Sequence, residues 1–259
     1  MKKVLILGST SHIAKGLIYY FEQDKDIQLS TLSCRDSEWQ YYLYKINPNI
    51  IINCVGKGTA SKISTIDYQD LWDYNYIDNI IIDYLKHKTK PIYINMSSWI
   101  VTKDIRYGDR QHHYKINKQY LEMKHRLLPE LNIIDLRIPA YFSRWINLDS
   151  GFLMSNILKH IKDGDEFNIT TRENKKLYYI TPRILYDIIR HFLISYEILE
   201  TQLNTYFDLK NNVGPIKLHH LLDYFGIINK FKDDNVDNAY EMRNIIYEYK
   251  EWRKLNGIC

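Results

Sequence analysis

The sequence predicts an α/β protein organised as a doubly wound parallel sheet, and three observations predict it. Between Met1 and Pro139, short apolar runs alternate with longer segments of helical spacing, the pattern of a parallel sheet with helices on both faces. The runs Val4-Leu5-Ile6-Leu7, Ile50-Ile51-Ile52 and Ile92-Tyr93-Ile94 are apolar on consecutive positions, as strands buried on both faces must be. The first run ends at Gly8 and passes through Ser9-Thr10-Ser11 directly into a helical pattern. Beyond Tyr141 the alternation changes character. Two regions are therefore expected: residues 1–142 as the sheet domain, and residues 143–259 as a smaller α/β region interleaved with it.

The elements follow in order. Met1 to Leu7 reads as the first strand and His12 to Gln23 as the first helix. Ile27 to Ser33 reads as the second strand, and a helix from Glu38 to Ile46 follows Cys34-Arg35-Asp36 almost at once. Asn47-Pro48-Asn49 turns into a strand from Ile50 to Val55. Gly56-Lys57-Gly58 then opens a loop whose glycines permit a close backbone approach. Asp67 to Lys88 carries Leu71, Ile77, Ile80, Ile81 and Leu85 at helical spacing. Pro91 starts the strand that delivers Ser97 and Ser98, His112 to Leu128 reads as a helix, and Ile133 to Pro139 as another strand. After that come a helix from Phe152 to Lys162 and a turn at Asp163-Gly164. Strands are expected at Phe167 to Thr171 and Leu177 to Thr181, and a helix from Pro182 to Glu200. A late strand at Tyr206 to Leu209 leads to a helix from Pro215 through Gly226; both prolines suit helix starts, where a missing N–H costs nothing. Asn229 to Cys259 is charged and Tyr-rich, with helical spacing near its end.

Composition narrows the function classes. The chain is 45% hydrophobic and 25% charged, enough apolar residues for a packed core. Its formal net charge of +4 is spread along the chain without a long basic run, which argues against nucleic acid as a partner but suits a phosphate-bearing ligand. The three cysteines have no metal-binding or redox spacing, so no metal is expected, and Cys34 and Cys54 read as buried free thiols. No apolar stretch is long enough to span a membrane and no signal peptide precedes the first strand. A cytoplasmic protein without membrane insertion is expected.

Two stretches carry chemistry. Small residues from Gly8 to Ile13 let backbone N–H groups approach a pyrophosphate, while the following helix N-terminus supplies partial positive charge. The dinucleotide fingerprint calls for three glycines; this chain keeps Gly8 and places Ser11 and Ala14 at the other two positions. Further on, Ser97-Ser98 end an apolar run, and Tyr114 and Lys118, four residues apart, project from one helix face. A hydroxyl facing a Tyr/Lys pair can handle a proton beside a carbonyl, and the lysine charge is expected to lower the tyrosine pKa from about 10. In a chain with 23 Tyr the Tyr-x-x-x-Lys spacing also arises by chance, so its meaning rests on the Gly8 turn before it. Asn75 sits in a helix interior, where Asn is a poor helix former and needs hydrogen-bond partners. Arg35, just past the second strand, suits a 2′-phosphate or is simply solvated. Arg144, Arg172 and Lys175 are candidate phosphate binders or surface charges.

Taken together, these stretches resemble the short-chain dehydrogenase/reductase superfamily, in its extended branch of NAD(P)-dependent nucleotide-sugar epimerases, dehydratases and 4-ketoreductases. Four further stretches match in order. Ile50-Ile51-Ile52-Asn53-Cys54-Val55-Gly56 resembles the strand ending along the cofactor, and Asp73-Tyr74-Asn75 with Asn79-Ile80-Ile81 the helix carrying an active-site Asn. Leu136-Arg137-Ile138-Pro139-Ala140-Tyr141 and Tyr206-Phe207-Asp208-Leu209 resemble the family's later strands. The resemblance implies a Rossmann-type fold with a small C-terminal substrate-binding domain. It implies Ser98, Tyr114, Lys118 and Asn75 as catalytic residues, with Ser97 the alternative hydroxyl. Cofactor contacts would come from Gly8, Ser9, Ser11, His12, Ile13, Arg35, Asn53, Cys54, Val55, Gly56, Tyr114 and Lys118. The implied activity is reduction of a keto group on a nucleotide-activated sugar, in the making of surface-polysaccharide sugars, with NADP(H) preferred and NAD(H) the alternative. Epimerisation, or non-catalytic sensing of NAD(P), are the other activities that the fold allows, and a homodimer is compatible. Two departures stand out: the path from Gly8 to Asn53 is one strand–helix unit short, and Ala140 replaces the family's usual Asn.

Overall fold

Six parallel strands make the central sheet of the computed structural model, which describes residues 1–56, 68–88, 91–107, 109, 111–164, 175–199, 203–227 and 239–258. They are β1 (Lys2–Leu7), β2 (Ile27–Leu32), β3 (Ile50–Asn53), β4 (Ile92–Ser98), β5 (Asn132–Ile138) and β9 (Asn204–Asp208), in the spatial order β2-β1-β3-β4-β5-β9. The short path between Gly8 and Asn53 has a topological result: among the described residues β2 is the sheet edge, with no further strand outside it. The chain reverses its direction of winding between β1 and β3. Ligands of open α/β sheets bind at this switch point, beyond the C-terminal strand ends.

The apolar runs are buried on both faces because helices cover both. On one face α1 (His12–Phe21) and α6 (Pro182–Leu199) pack Leu17, Phe21, Leu185 and Ile189 against Ile6, Ile52, Ile94 and Ile134. On the other, α2 (Trp39–Ile46) and α3 (Tyr68–Lys86) pack Trp39, Leu43, Ile81 and Leu85 against Leu5, Ile51, Tyr93 and Ile133. Each such side chain, fully buried, stabilises the fold by about 1.5–3 kcal/mol before chain entropy is counted. Helix α4 (His112–Arg126) lies between β4 and β5 in sequence and carries Tyr114 and Lys118.

Beyond β5 the chain builds a second core. Phe142, Ile146, Ile157, Leu158, Ile216, Leu221, Ile245 and Trp252 cluster there, drawn from the loop after β6 (Ala140–Tyr141), α5 (Leu153–Asp163), β10 (Ile216–Lys217), α7 (Leu218–Tyr224) and α8 (Ala239–Leu255). The single strand expected over Leu177 to Thr181 is divided. β7 (Lys176–Leu177) pairs antiparallel with β10, whereas β8 (Tyr179–Ile180) pairs parallel with β6. Pro215 does not start a helix, because Ile216 and Lys217 are first taken up by the pairing with β7; α7 begins at Leu218. The strand expected over Phe167 to Thr171, together with Lys57, Gly58, Arg172 and Cys259, lies outside the described residues. No helix among the described residues is long and apolar enough to cross a membrane.

Candidate active site

The turn after β1 is shaped by Gly8. Its φ of +76° is one that L side chains rarely adopt, and a Cβ there would lie 3.0 Å from the backbone of Cys54 and Val55. Its N–H donates to the Leu32 carbonyl (2.9 Å), as does that of Ser9 (3.4 Å). Ser11 caps α1, its hydroxyl accepting from the Ala14 N–H at 3.2 Å. The N–H groups of His12 and Ile13 find no acceptor among the described residues. Two unpaired N–H groups at a helix start, behind a turn that only glycine fits, suit the pyrophosphate of a dinucleotide. Gly16 plays a part the sequence did not reveal: a side chain there would strike the Tyr141 hydroxyl and Pro182. This close contact brings α1 against the chain leaving β5.

The His12 ring stacks edge-on to Tyr141 at 4.9 Å, and burial lowers its pKa to about 4, so it is neutral. Cys34 and Cys54 are pushed up to about 12, both by burial, and are unreactive thiols. Arg35 stands exposed three residues past β2, its backbone N–H on Ser33 Oγ (3.4 Å). Asn53 is buried, donating from Nδ2 to Tyr93 Oη (2.9 Å) and accepting from the Val55 N–H (3.0 Å). Gly56 is exposed at the loop opening.

The hydroxyl–Tyr–Lys group converges at the end of β4. Ser98 is half-buried and caps the short 3-10 turn Trp99–Thr102, its hydroxyl accepting from the Ile100 N–H at 3.3 Å, and its side chain lies close enough to the Tyr114 phenol to act on it. Ser97 points elsewhere: it is buried and donates to Glu122 Oε1 at 2.5 Å, while Arg137 donates to Oε2 of the same carboxylate (2.6 Å). Lys118 is buried with its Nζ 5.9 Å from the Tyr114 ring centroid, donating to the Met96 carbonyl at 2.8 Å. The expected lowering of the Tyr114 pKa does not hold in this form: burial raises it, against the opposing effect of the Ser98 hydrogen bond. Lys118 is itself desolvated, which lowers its pKa, an effect opposed by Asp135, Glu122 and Asp78. Tyr114 is thus a protonated phenol at neutral pH, the form a proton donor needs.

Asn75 is not part of this convergence. Its Nδ2 donates to the Leu71 carbonyl (3.0 Å) and its Oδ1 accepts from Lys124 Nζ (3.3 Å). The cavity beside Lys118 is lined from α3 by Tyr74 and Ile77 instead. Arg144 is likewise engaged. It is 6% exposed and held by Glu248 (3.0 Å) and Glu251 (3.2 Å) of α8, with Tyr19, Trp145 and Tyr247 around its guanidinium.

Two lysines that the sequence did not single out, Lys103 and Lys210, gather beside Ser98, and Lys175, a candidate phosphate binder in the sequence, acts on Lys103. Lys103 and Lys210 place their Nζ 4.8 and 4.3 Å from the ring centroid of Trp99, the residue after Ser98. Lys210 is also 4.6 Å from the Tyr178 ring. Desolvation, then the charges of Lys175 and Lys210, lower the Lys103 pKa. None of the three ammonium groups is paired with a carboxylate among the described residues. Lysines gathered so closely, with aromatic rings between them, suit an anionic ligand.

No protein-family model and no curated protein matches the sequence. Solved structures do match. An epimerase from Methanothermobacter thermautotrophicus superposes with a TM-score of 0.73 at 12% identity, covering 98% of this chain and 93% of that one. The dTDP-glucose 4,6-dehydratase of Bacillus anthracis, solved with NAD, gives 0.69 at 10% identity, covering 99% and 97%. The capsular polysaccharide assembling protein CapF of Staphylococcus aureus gives 0.63 at 18% identity over 86% of this chain. This chain spans only 56% of CapF. The chain therefore has the Rossmann-type fold of the extended short-chain dehydrogenase/reductases, the fold of nucleotide-sugar epimerases and dehydratases.

Proposed function

We propose that this chain is a nicotinamide-dependent oxidoreductase that reduces a keto group on a nucleotide-activated sugar, with NADP(H) preferred over NAD(H). The observation that carries this reading is the meeting of Ser98, Tyr114 and Lys118 at the C-terminal end of β4. The Gly8 turn lies on the same side of the sheet, since β1, β3 and β4 run parallel. The N–H groups of His12 and Ile13, at the end of the turn that runs from Gly8 through Ser9 and Ser11, would hold the pyrophosphate, and Asn53, Cys54, Val55 and Gly56 would line the cofactor's path. When bound, the nicotinamide supplies the hydride. Ser98 Oγ donates a hydrogen bond to the substrate oxygen, and Tyr114 Oη gives that oxygen its proton as charge develops there. Lys118 stabilises the phenolate left behind and binds the nicotinamide ribose. Lys103, Lys175 and Lys210, beside Trp99, would hold the substrate's phosphates. We infer the making of surface-polysaccharide sugars in the cytoplasm as the setting, and residues 143–259 as the substrate-binding region.

An epimerase is the second reading, favoured by the names of the matching structures. A dehydratase is disfavoured because Trp99 follows Ser98, with no carboxylate before Asp104. The experiment that separates these is stoichiometry, using UDP-, dTDP- and GDP-linked ketosugars with deuterated NADPH. A reductase consumes one NADPH per sugar and leaves deuterium on the product carbon. An epimerase converts its sugar without net NADPH oxidation, and a non-catalytic sensor binds cofactor without doing either.

Arg35 motivates the preference for NADP(H). Titrating NADPH and NADH against wild type and Arg35→Ala should show tighter NADPH binding that the substitution removes. Loss of a charge-assisted contact is worth about 1.5–3 kcal/mol, or roughly 10–100-fold in affinity. Equal affinities in the wild type would rule Arg35 out as the discriminator.

A further inference from the structure

The cavity behind the Tyr114–Lys118 pair is walled by Asn53 and Asn95 from the sheet, Tyr74 and Ile77 from α3, and Lys118 from α4. Register explains its polar side: Asn53 lies opposite Asn95 on β3 and β4, and Asn95 opposite Asp135 on β4 and β5. The amide of Asn53 is engaged at both ends, its nitrogen by Tyr93 and its oxygen by the Val55 N–H. That of Asn95 is half used. Asn95 is 3% exposed and donates from Nδ2 to Asp135 Oδ1 at 2.7 Å. A carboxylate only accepts, so the nitrogen must face Asp135 and the amide orientation is fixed. Asp135 is itself pinned by His125 (2.9 Å) and Arg126 (2.7 Å). No donor among the described residues meets Asn95 Oδ1. Lys118 Nζ spends one N–H on the Met96 carbonyl and has two to spare. Asn95 and Lys118 both line the cavity, which measures ≈ 10 Å³, room for about one water.

We propose that Asn95 is a positioning residue that holds a water on Lys118 Nζ. Asn75 turns its amide to Leu71 and Lys124 and does not line the cavity. The water gives the desolvated ammonium a second acceptor, alongside the Met96 carbonyl, and so fixes where it stands relative to Tyr114. The role of Asn95 in turnover rests on the function proposed above; the water site does not.

The test therefore has two readouts that need no substrate. High-resolution crystal structures of the wild type and of Asn95→Leu should show a water within hydrogen-bond distance of both Lys118 Nζ and Asn95 Oδ1, and its loss in the variant. Titration of Lys118 by NMR of ¹³Cε-labelled lysine should show its midpoint lower by about one pH unit in Asn95→Leu, since the charged form loses a hydrogen bond. If Asn95→Leu does not fold, Asn95→Ala serves for the titration with the same expectation. A wild-type cavity without this water, a water held by Asn75 instead, or an unmoved Lys118 midpoint would each overturn the proposal. Once a substrate is in hand, kcat should fall with KM unchanged, and a larger fall in Asn75→Ala than in Asn95→Leu would overturn the assignment of the role.

Discussion

Tyr114→Phe is expected to lower turnover by ~10²–10⁴-fold, the general-acid contribution, while leaving NADPH affinity within a few-fold. Only one hydroxyl is lost, and it lies beside Ser98, which the fold already anchors at the start of the Trp99–Thr102 turn. Burial keeps the Tyr114 phenol protonated through neutrality, so the loss should be nearly constant from pH 6 to 8. Lys118→Met should behave differently and weaken both binding and turnover, because Lys118 is assigned to the ribose as well as to Tyr114. Single-turnover rates and cofactor titrations on both variants are the check. Full activity in Tyr114→Phe would defeat the mechanism and leave the fold untouched.

The largest effect on stability is expected at His125. This imidazole is fully buried and lies between two buried carboxylates, Nε2 3.0 Å from Asp78 and Nδ1 2.9 Å from Asp135. Both ring nitrogens face groups that only accept, so both carry protons. Burial alone would lower its pKa, but Asp135 and Asp78 lift it from 6.5 to about 9. A group whose folded pKa is raised contributes fully below its unfolded pKa and loses that contribution as pH rises through the folded one. At ~1.4 kcal/mol per pKa unit, the rise corresponds to roughly 3 kcal/mol, present at pH 6.5 and gone above about pH 9. Asp78 has the opposite sign. Burial alone would raise it, but His125 and Lys124 hold it below the usual carboxylate range, so its contribution is lost only in acid. His125→Leu leaves two buried carboxylates to Lys124 and Arg126 and should cost about 3–5 kcal/mol at neutral pH. Urea unfolding at pH 6.5 and pH 9.5 should show a steep loss in the wild type and a shallower one in the variant. The same slope in both would show that His125 is not the titrating group.

The parts of the site legible in the sequence were those set by local pattern. Gly8 followed an apolar run and preceded a helix, and Tyr114 and Lys118 lay one helical turn apart. Strand ends and helix faces then bring Ser98 to Tyr114. What the sequence did not disclose depends on distant partners. Arg144 read as a phosphate binder or a surface charge, but its guanidinium meets Glu248, 104 residues away. Asn75 had the right helix, yet Lys124 on α4 draws its amide off the cavity. Asn95 carries no motif, and its orientation follows only from Asp135 on the neighbouring strand. Lys103 and Lys210 come from separate segments and meet only around Trp99. The division of residues 176–180 between two small sheets was hidden for the same reason: hydropathy shows an apolar run but not which neighbour takes each half.

The central claim is that the Gly8 turn and the Ser98–Tyr114–Lys118 group together serve a nicotinamide cofactor. Thermal unfolding of the purified protein with increasing NADPH and NADH tests it most directly. At 100 times Kd, binding adds about 2.7 kcal/mol of stability, which should raise the melting temperature by several degrees with NADPH and by less with NADH. Folded protein whose melting temperature moves with neither cofactor would contradict the account.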